Sequence, residues 1–249
     1  MLLQKTEKIE RCALLDTLRG LTVISMVLYH AMWDLCYLFG WKVLWFKEIG
    51  GYLWQQATCC AFILLAGFCA AMGRHTVRRG IYVLLLGTGI TLVTMVFMPK
   101  ERILFGVLTL LGSCMFLTGL LKPYLLKIPS WSGLLLSGAL FMVTRPINQG
   151  GLGVFSKVLA ALPEGLYRNH FTAYLGFPHE AFFSTDYFSL MPWIFLFFVG
   201  FFLYQVCGKN ILAIHWRGIG WVNVIGCHSL LIYVVHQPLL YALLNVWNG

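Results

Sequence analysis

The sequence predicts an all-α polytopic membrane protein: a bundle of about seven to nine transmembrane helices with an interfacial or reentrant lid. Three observations carry this. The 249 residues are 59% hydrophobic and only 11% charged, a balance far from that of soluble domains. Apolar runs close to the roughly 20 residues that cross about 30 Å of hydrocarbon recur along the chain. Between them fall breakers and charges, as in Met98-Pro99-Lys100-Glu101-Arg102 and Lys127-Ile128-Pro129-Ser130.

Spans are expected near 15–39, 52–73, 79–98, 103–121, 132–144, 187–206 and 228–247. The fifth is short and needs its neighbours to cross. The longest connection, 145–186, holds Gln149-Gly150-Gly151, Pro163, Pro178, His170, His179 and many aromatics. It is too apolar for a solvated linker and reads as the lid. Residues 211–221, with His215 and Arg217 among Trp and Ile, read as interfacial. Segment 1–11 is polar, and no small-residue cleavage site follows it, so no removable signal peptide is expected.

The formal charge of +9 sits mostly in short segments between apolar runs, which signals topology and headgroup contact and argues against nucleic acid. With the N-terminus on one side, eleven Lys and Arg fall on that side and seven on the other, predicting a cytoplasmic N-terminus. The eight cysteines show no Cys-x-x-Cys pair and read as small buried hydrophobes, so neither a disulfide framework nor a metal is expected.

The first apolar segment carries the candidate chemistry. At 100° per residue, Arg19 and His30 differ by about 20° in rotation and roughly 16 Å along the axis. Asp16, Asp34 and Tyr37 fall within about 40° of His30, so the polar residues form one stripe that faces a protein interior or an aqueous cavity. In the plainer reading Asp16 and Arg19 form an ion pair, and His30 and Asp34 a structural hydrogen bond. In the functional reading Asp34 orients His30, and a buried imidazole held by a carboxylate is a general base.

Elsewhere, Ser229, Tyr233 and His236 lie within about 60° of one another, with Pro238 freeing a carbonyl one turn back. They line a cavity or form a packing network. Asp186 caps the helix that follows it or faces a substrate. Arg74, Arg78 and Arg79 are membrane anchors or phosphate ligands. His170, His179 and Glu180 read as interfacial. Leu65-Ala66-Gly67-Phe68 is a site of close helix packing, or resembles the Ser-Gly-Phe of acyltransferase helices with Ala66 in the Ser place.

Arg19, ten residues and then His30 at the head of the first membrane helix resembles the signature of the membrane acyltransferase family 3 proteins. More of the chain resembles a narrower group, the heparan-alpha-glucosaminide N-acetyltransferase-like family of bacterial membrane proteins. The matching stretches are Leu15-Asp16-Thr17-Leu18-Arg19-Gly20-Leu21, Phe105-Gly106-Val107-Leu108 with Leu111-Gly112, Ser184-Thr185-Asp186-Tyr187-Phe188 with Pro192-Trp193, and His228-Ser229-Leu230-Leu231-Ile232-Tyr233 with His236-Gln237-Pro238. They run from residue 15 to 238.

The resemblance implies a single transmembrane acyltransferase domain over 1–249. Its reaction would move an acetyl group from cytoplasmic acetyl-CoA to an amine or hydroxyl of a sugar or glycan across the bilayer, in a bacterial cytoplasmic membrane, with room for a homo-oligomer. Relatives often carry His where this chain has Thr109. The lysosomal enzyme that names the family has Asn at the position matching His30 and a histidine further on. Under this reading His30 and Asp34 are catalytic and Arg19 holds a CoA phosphate, its distance from His30 being comparable to an extended pantetheine arm. Arg74, Arg78 and Arg79 help with the nucleotide, while Asp186, Tyr233, His236 and Tyr37 line the cavity. Two rival classes remain on sequence grounds: a proton-coupled transporter using the same polar residues, and haem ligation through His30 and His236.

Overall fold

The computed structural model describes residues 12–154 and 157–248. Segment 1–11, with its expected lack of a removable leader, lies outside them. The chain is an all-α polytopic membrane protein. In order, the helices are α1 (Ala13–Tyr37), α2 (Leu44–Lys47), α3 (Ile49–Met72), α4 (Thr76–Phe97), α5 (Val107–Leu125), α6 (Ser130–Thr144), α7 (His170–Leu175), α8 (Leu190–Leu212), α9 (Gly220–Cys227) and α10 (Ser229–Asn248). Among the described residues α3, α4, α5, α8 and α10 are long and apolar enough to cross a bilayer. At 25 residues α1 has the length, but Asp16, Arg19, His30 and Asp34 make it less apolar. With 15 residues α6 spans about 22 Å, short of a full crossing.

The chain divides into two compact units, one of Met1–Phe62 with Asn210–Gly249 and the other of Ile63–Lys209. In the first unit, α1 turns its polar stripe inward and its leucines outward. Asp16 and Asp34 are buried, whereas Leu18, Leu21 and Leu28 are exposed, as suits a helix with lipid on one side. Helix α9 lies against α1 at backbone contact: a Cβ on Gly20 would strike the Val222 carbonyl, and one on Gly226 the Asp16 carbonyl. The sequence reading missed α9, because eight residues are too few to display a helical period.

In the second unit, α4 and α5 pack through glycines. Added Cβ atoms on Gly80 and Gly87 would come within 2.6 Å of the Phe116 nitrogen and 2.7 Å of the Thr109 nitrogen. The plainer reading of Gly67 holds, since its Cβ would collide with the Phe197 carbonyl of α8. Ala71, Leu125, Phe201 and Phe202 form a buried cluster, joined by Ile128, Leu134, Phe198 and Tyr204.

The 145–186 connection differs from a simple reentrant segment. Gly150, in the left-handed region at φ +97°, leads into an antiparallel pair of strands, β1 (Gly151–Val154) and β2 (Lys157–Ala161), in which Gly151 faces Ala161. The short helix α7 follows, with its buried Ala173 carbonyl accepting the Tyr187 hydroxyl. Burial pushes the Tyr187 phenol up to about 12. Asn148 ties this corner together, donating through Nδ2 to the Gly176 carbonyl and the Ser189 hydroxyl, each at 3.0 Å.

Two of the sequence landmarks, 79 residues apart, meet here. The Leu104 amide donates to Ser184 Oγ at 2.9 Å, the Thr185 amide to the Arg102 carbonyl at 3.2 Å, and the Phe188 amide to the Phe105 carbonyl at 2.9 Å. The span expected to begin at 187 therefore begins at Leu190, because 184–188 are bound to 102–107.

Candidate active site

The site residues on α1 and α10 belong to the first unit. At the N-terminal end of α1, the Arg19 guanidinium pairs with Asp16, Nη1 to Oδ1, at 2.9 Å. Their i, i+3 spacing puts them on adjacent turns, so the ion pair of the plainer reading is present. Thr17 and Asn223 are hydrogen-bonded, and the Ile219 amide approaches Thr17 Oγ1 at 3.4 Å, which fastens this end of α1 to the start of α9.

Halfway along, Ser25 Oγ lies 2.8 Å from Thr58 Oγ1 and accepts the Trp54 indole N–H at 2.9 Å. These bonds hold α1 against α3. Tyr29 fills the gap, its ring 5.3 Å from Phe46 and 5.7 Å from Trp54.

The C-terminal third of α1 meets α10. The rings of His30 and His236 lie 4.9 Å apart between centroids and are tilted by 59°. Tyr233, one turn before His236, packs on it at 5.5 Å and reaches Phe62 at 6.2 Å. Helical spacing thus brings Tyr233 and His236 to one face, and tertiary packing sets that face on His30.

Asp34 departs from expectation. It is fully buried, and its Oδ1 accepts Gln237 Nε2 at 2.9 Å instead of bonding His30. The partner lies on another helix, so i, i+4 spacing alone could not settle where the carboxylate turns. Asp34 Oδ2, Gln237 Oε1 and His236 Nε2 are all buried with no hydrogen-bond partner among the described residues. A buried polar atom without a partner costs about 1–3 kcal/mol, and such atoms gather where a fold serves chemistry. All three are hydrogen-bond acceptors or can act as one. Gln237 is the site residue that sequence reasoning did not single out, although the His236-Gln237-Pro238 landmark contained it.

Other residues fall elsewhere. Tyr37 is 53% exposed at the end of α1, its ring tilted against Trp33 at 5.2 Å with the Lys47 ammonium 5.5 Å from its centre. Asp186, in the second unit, accepts the Val107 amide at 3.2 Å through Oδ2. It caps α5, not the helix that follows it in sequence. The cap works because Gly106, just before α5, has no side chain to fill that role. Thr109 packs in the α4 and α5 contact, its Oγ1 2.8 Å from where a Cβ on Gly87 would stand.

The second unit also contains a basic cleft of about 430 Å³ lined by Arg74, His75, Arg78, Tyr82 and Lys122 among others, but not by Arg79. Arg78 donates to the Tyr82 hydroxyl through Nε and Nη2 at 3.2 and 3.1 Å. Lys122 Nζ donates to the Ala71 and Gly73 carbonyls at 2.8 and 2.9 Å, which commits its charge to the C-terminal end of α3. Among the described residues no group of three or more His, Cys, Asp or Glu side chains is arranged to hold a metal ion.

Residues 11–238 match the family model of the heparan-alpha-glucosaminide N-acetyltransferase catalytic region. Nothing among the curated proteins and nothing among the solved structures matches.

Proposed function

The chain belongs to the heparan-alpha-glucosaminide N-acetyltransferase catalytic family, and from that premise we propose that it moves an acetyl group from acetyl-CoA to an amine or hydroxyl of a sugar or glycan across the membrane. The observation that carries this reading is the pair of imidazoles, the half-buried His30 and the buried His236, 4.9 Å apart beside the buried Asp34 carboxylate. Ionisable groups are kept at membrane depth when they serve chemistry or transport, and family membership favours group transfer.

In this reading the imidazole pair acts on the acceptor and the thioester, and the Asp34 charge, one turn beyond His30, stabilises an imidazolium formed there. Tyr233 lines the reaction space. The excess of Lys and Arg on the N-terminal side argues for a cytoplasmic N-terminus, with the donor drawn from the cytosol of a bacterium. CoA phosphates need cations, and each of the two units supplies a candidate. Arg19 is one-third exposed while paired with Asp16. Arg74 and Arg78 line the basic cleft, with Arg79 nearby in sequence on the same helix.

The test is a purified, nanodisc-embedded chain given radiolabelled acetyl-CoA and a panel of amino sugars and glycans. Release of free CoA with label in the sugar is the expected result. Solute movement in vesicles without CoA release would replace the proposal with transport. Trapping acetyl on His30 with acetyl-CoA alone separates an acyl-imidazole route from direct transfer.

A further inference from the structure

Building on the acetyl-transfer reading, we infer that His236 Nε2 is the general base that takes the acceptor's proton, leaving His30 to act on the acyl group. His236 Nδ1 lies 2.6 Å from the Tyr233 carbonyl oxygen. A carbonyl can only accept, so Nδ1 carries the hydrogen and Nε2 carries the lone pair. The bond closes within one turn of α10, so the helix itself fixes the ring's tautomer and rotation.

The other nitrogen is kept ready. His236 is 8% exposed, and its Nε2 is buried with no hydrogen-bond partner among the described residues. An acceptor nitrogen held this way is prepared for a donor that arrives with the substrate. His30 faces it, the two ring centroids 4.9 Å apart. Asp34 and Gln237 join α1 to α10 one residue from His236, which makes Gln237 a positioning residue for the spacing of the two rings.

The chemistry asks for two such groups. An imidazole that has accepted an acyl group cannot also accept the acceptor's proton. With His236 as base, the acceptor N–H or O–H proton passes to Nε2 and the freed electron pair forms the bond to the acyl carbon. The bond from that carbon to the thioester sulfur breaks, and the thiolate takes the proton back from His236, so CoA leaves as the thiol. If the acyl group first moves to His30, its nitrogen bonds the acyl carbon as the carbon–sulfur bond breaks, and the thiolate leaves with the proton lost from the acylated imidazole. The carbon–nitrogen bond to His30 then breaks on transfer to the acceptor, and that nitrogen receives the proton from His236.

The test follows acetyl transfer from acetyl-CoA to D-glucosamine by the full chain in nanodiscs, between about pH 5 and 9. His236→Gln should lower kcat about 10²- to 10⁴-fold, flatten the acidic limb of the kcat profile and leave KM for acetyl-CoA within about threefold. Added imidazole should restore part of the rate in His236→Ala. Unchanged kcat in His236→Gln, or a retained acidic limb, overturns the assignment while leaving the reaction standing. An unaltered chain that acetylates no sugar overturns both. Nitrogen-15 histidine spectra of the unaltered protein give an answer independent of variant folding: the signal missing from His236→Gln should be the Nδ1–H tautomer, and an Nε2–H tautomer overturns the inference.

Discussion

Asp34 and Gln237, 203 residues apart in the chain, share a hydrogen bond of 2.9 Å that closes α1 on α10 beside the two imidazoles. The carboxylate is fully buried, and Gln237 is the side chain that satisfies Oδ1. Gln237→Leu therefore leaves a buried carboxylate without a donor, at about 1–3 kcal/mol. For a chain of this length that lowers the thermal midpoint by about 2–12 °C. Asp34→Asn still offers Oδ1 to the Gln237 amide and should melt within about 2 °C of the unaltered protein. Circular dichroism melts in detergent read both, and an unchanged midpoint in Gln237→Leu would refute the role given to this bond.

Asp186 tests the difference between a cap and a ligand. Removing its carboxylate with Asp186→Ala exposes the first turn of α5 and should cost about 0.5–2 kcal/mol of stability. Asp186→Asn still offers an oxygen to the Val107 amide and should recover most of that loss. If Asp186→Asn instead raises KM for a sugar acceptor while the melting temperature holds, the carboxylate faces substrate.

How much of this was legible in the sequence depends on whether a feature is local. The polar stripe of α1 follows from 100° steps along one helix, and burial of Asp16 and Asp34 against exposed Leu18, Leu21 and Leu28 agrees with it. Tyr37 lies on the same stripe but beyond the packed part of the helix, so its angle was right and its environment was not predictable. The Asp34 partner and the Asp186 cap were not legible, because each joins segments about 80 to 200 residues apart. Rotational arithmetic on one helix cannot choose between a neighbour on the next turn and a donor on another helix. The strand pair after Gly150 was equally hidden, since four- and five-residue strands carry too little alternation to stand out among apolar residues.

The α4 and α5 contact gives a steric prediction. A Cβ on Gly112 would collide with the Leu84 backbone, and backbone cannot move aside as a flexible side chain can. Gly112→Leu should therefore separate the two helices and lose about 3 kcal/mol or more. Size-exclusion chromatography should show aggregated protein where the unaltered chain elutes as one peak. A monodisperse Gly112→Leu with an unchanged melt would show that this contact is not needed.

Tyr187 gives a pH prediction. Burial raises its phenol in the folded state to about 12, while the unfolded chain titrates near 10. The folded state therefore holds this proton more tightly, and the resulting stabilisation is complete below about pH 10. It is lost as pH rises from the unfolded value through about 12. Melting temperatures should fall across that window, and Tyr187→Phe, which has no phenol to ionise, should show a shallower fall. Equal slopes in the two proteins would place the alkaline loss on other groups.

The separation of Arg19 from His30 along α1 predicts two different kinetic failures. His30→Ala removes one of the two imidazoles and leaves the Asp34–Gln237 hydrogen bond in place, so the protein should fold and bind acetyl-CoA while kcat falls about 10²- to 10⁴-fold. Arg19→Ala removes a cation that ends two turns or more from the reacting groups, so its loss belongs in binding. A lost hydrogen bond to a charged phosphate is worth about 1.5–3 kcal/mol, or about 10- to 100-fold in KM for acetyl-CoA with kcat little changed. The parallel Arg74→Ala and Arg78→Ala variants compare the cleft of the second unit with Arg19 on the same scale. Desulfo-CoA binding measured calorimetrically reads affinity without turnover, and a His30→Ala protein that turns over normally would remove His30 from the mechanism.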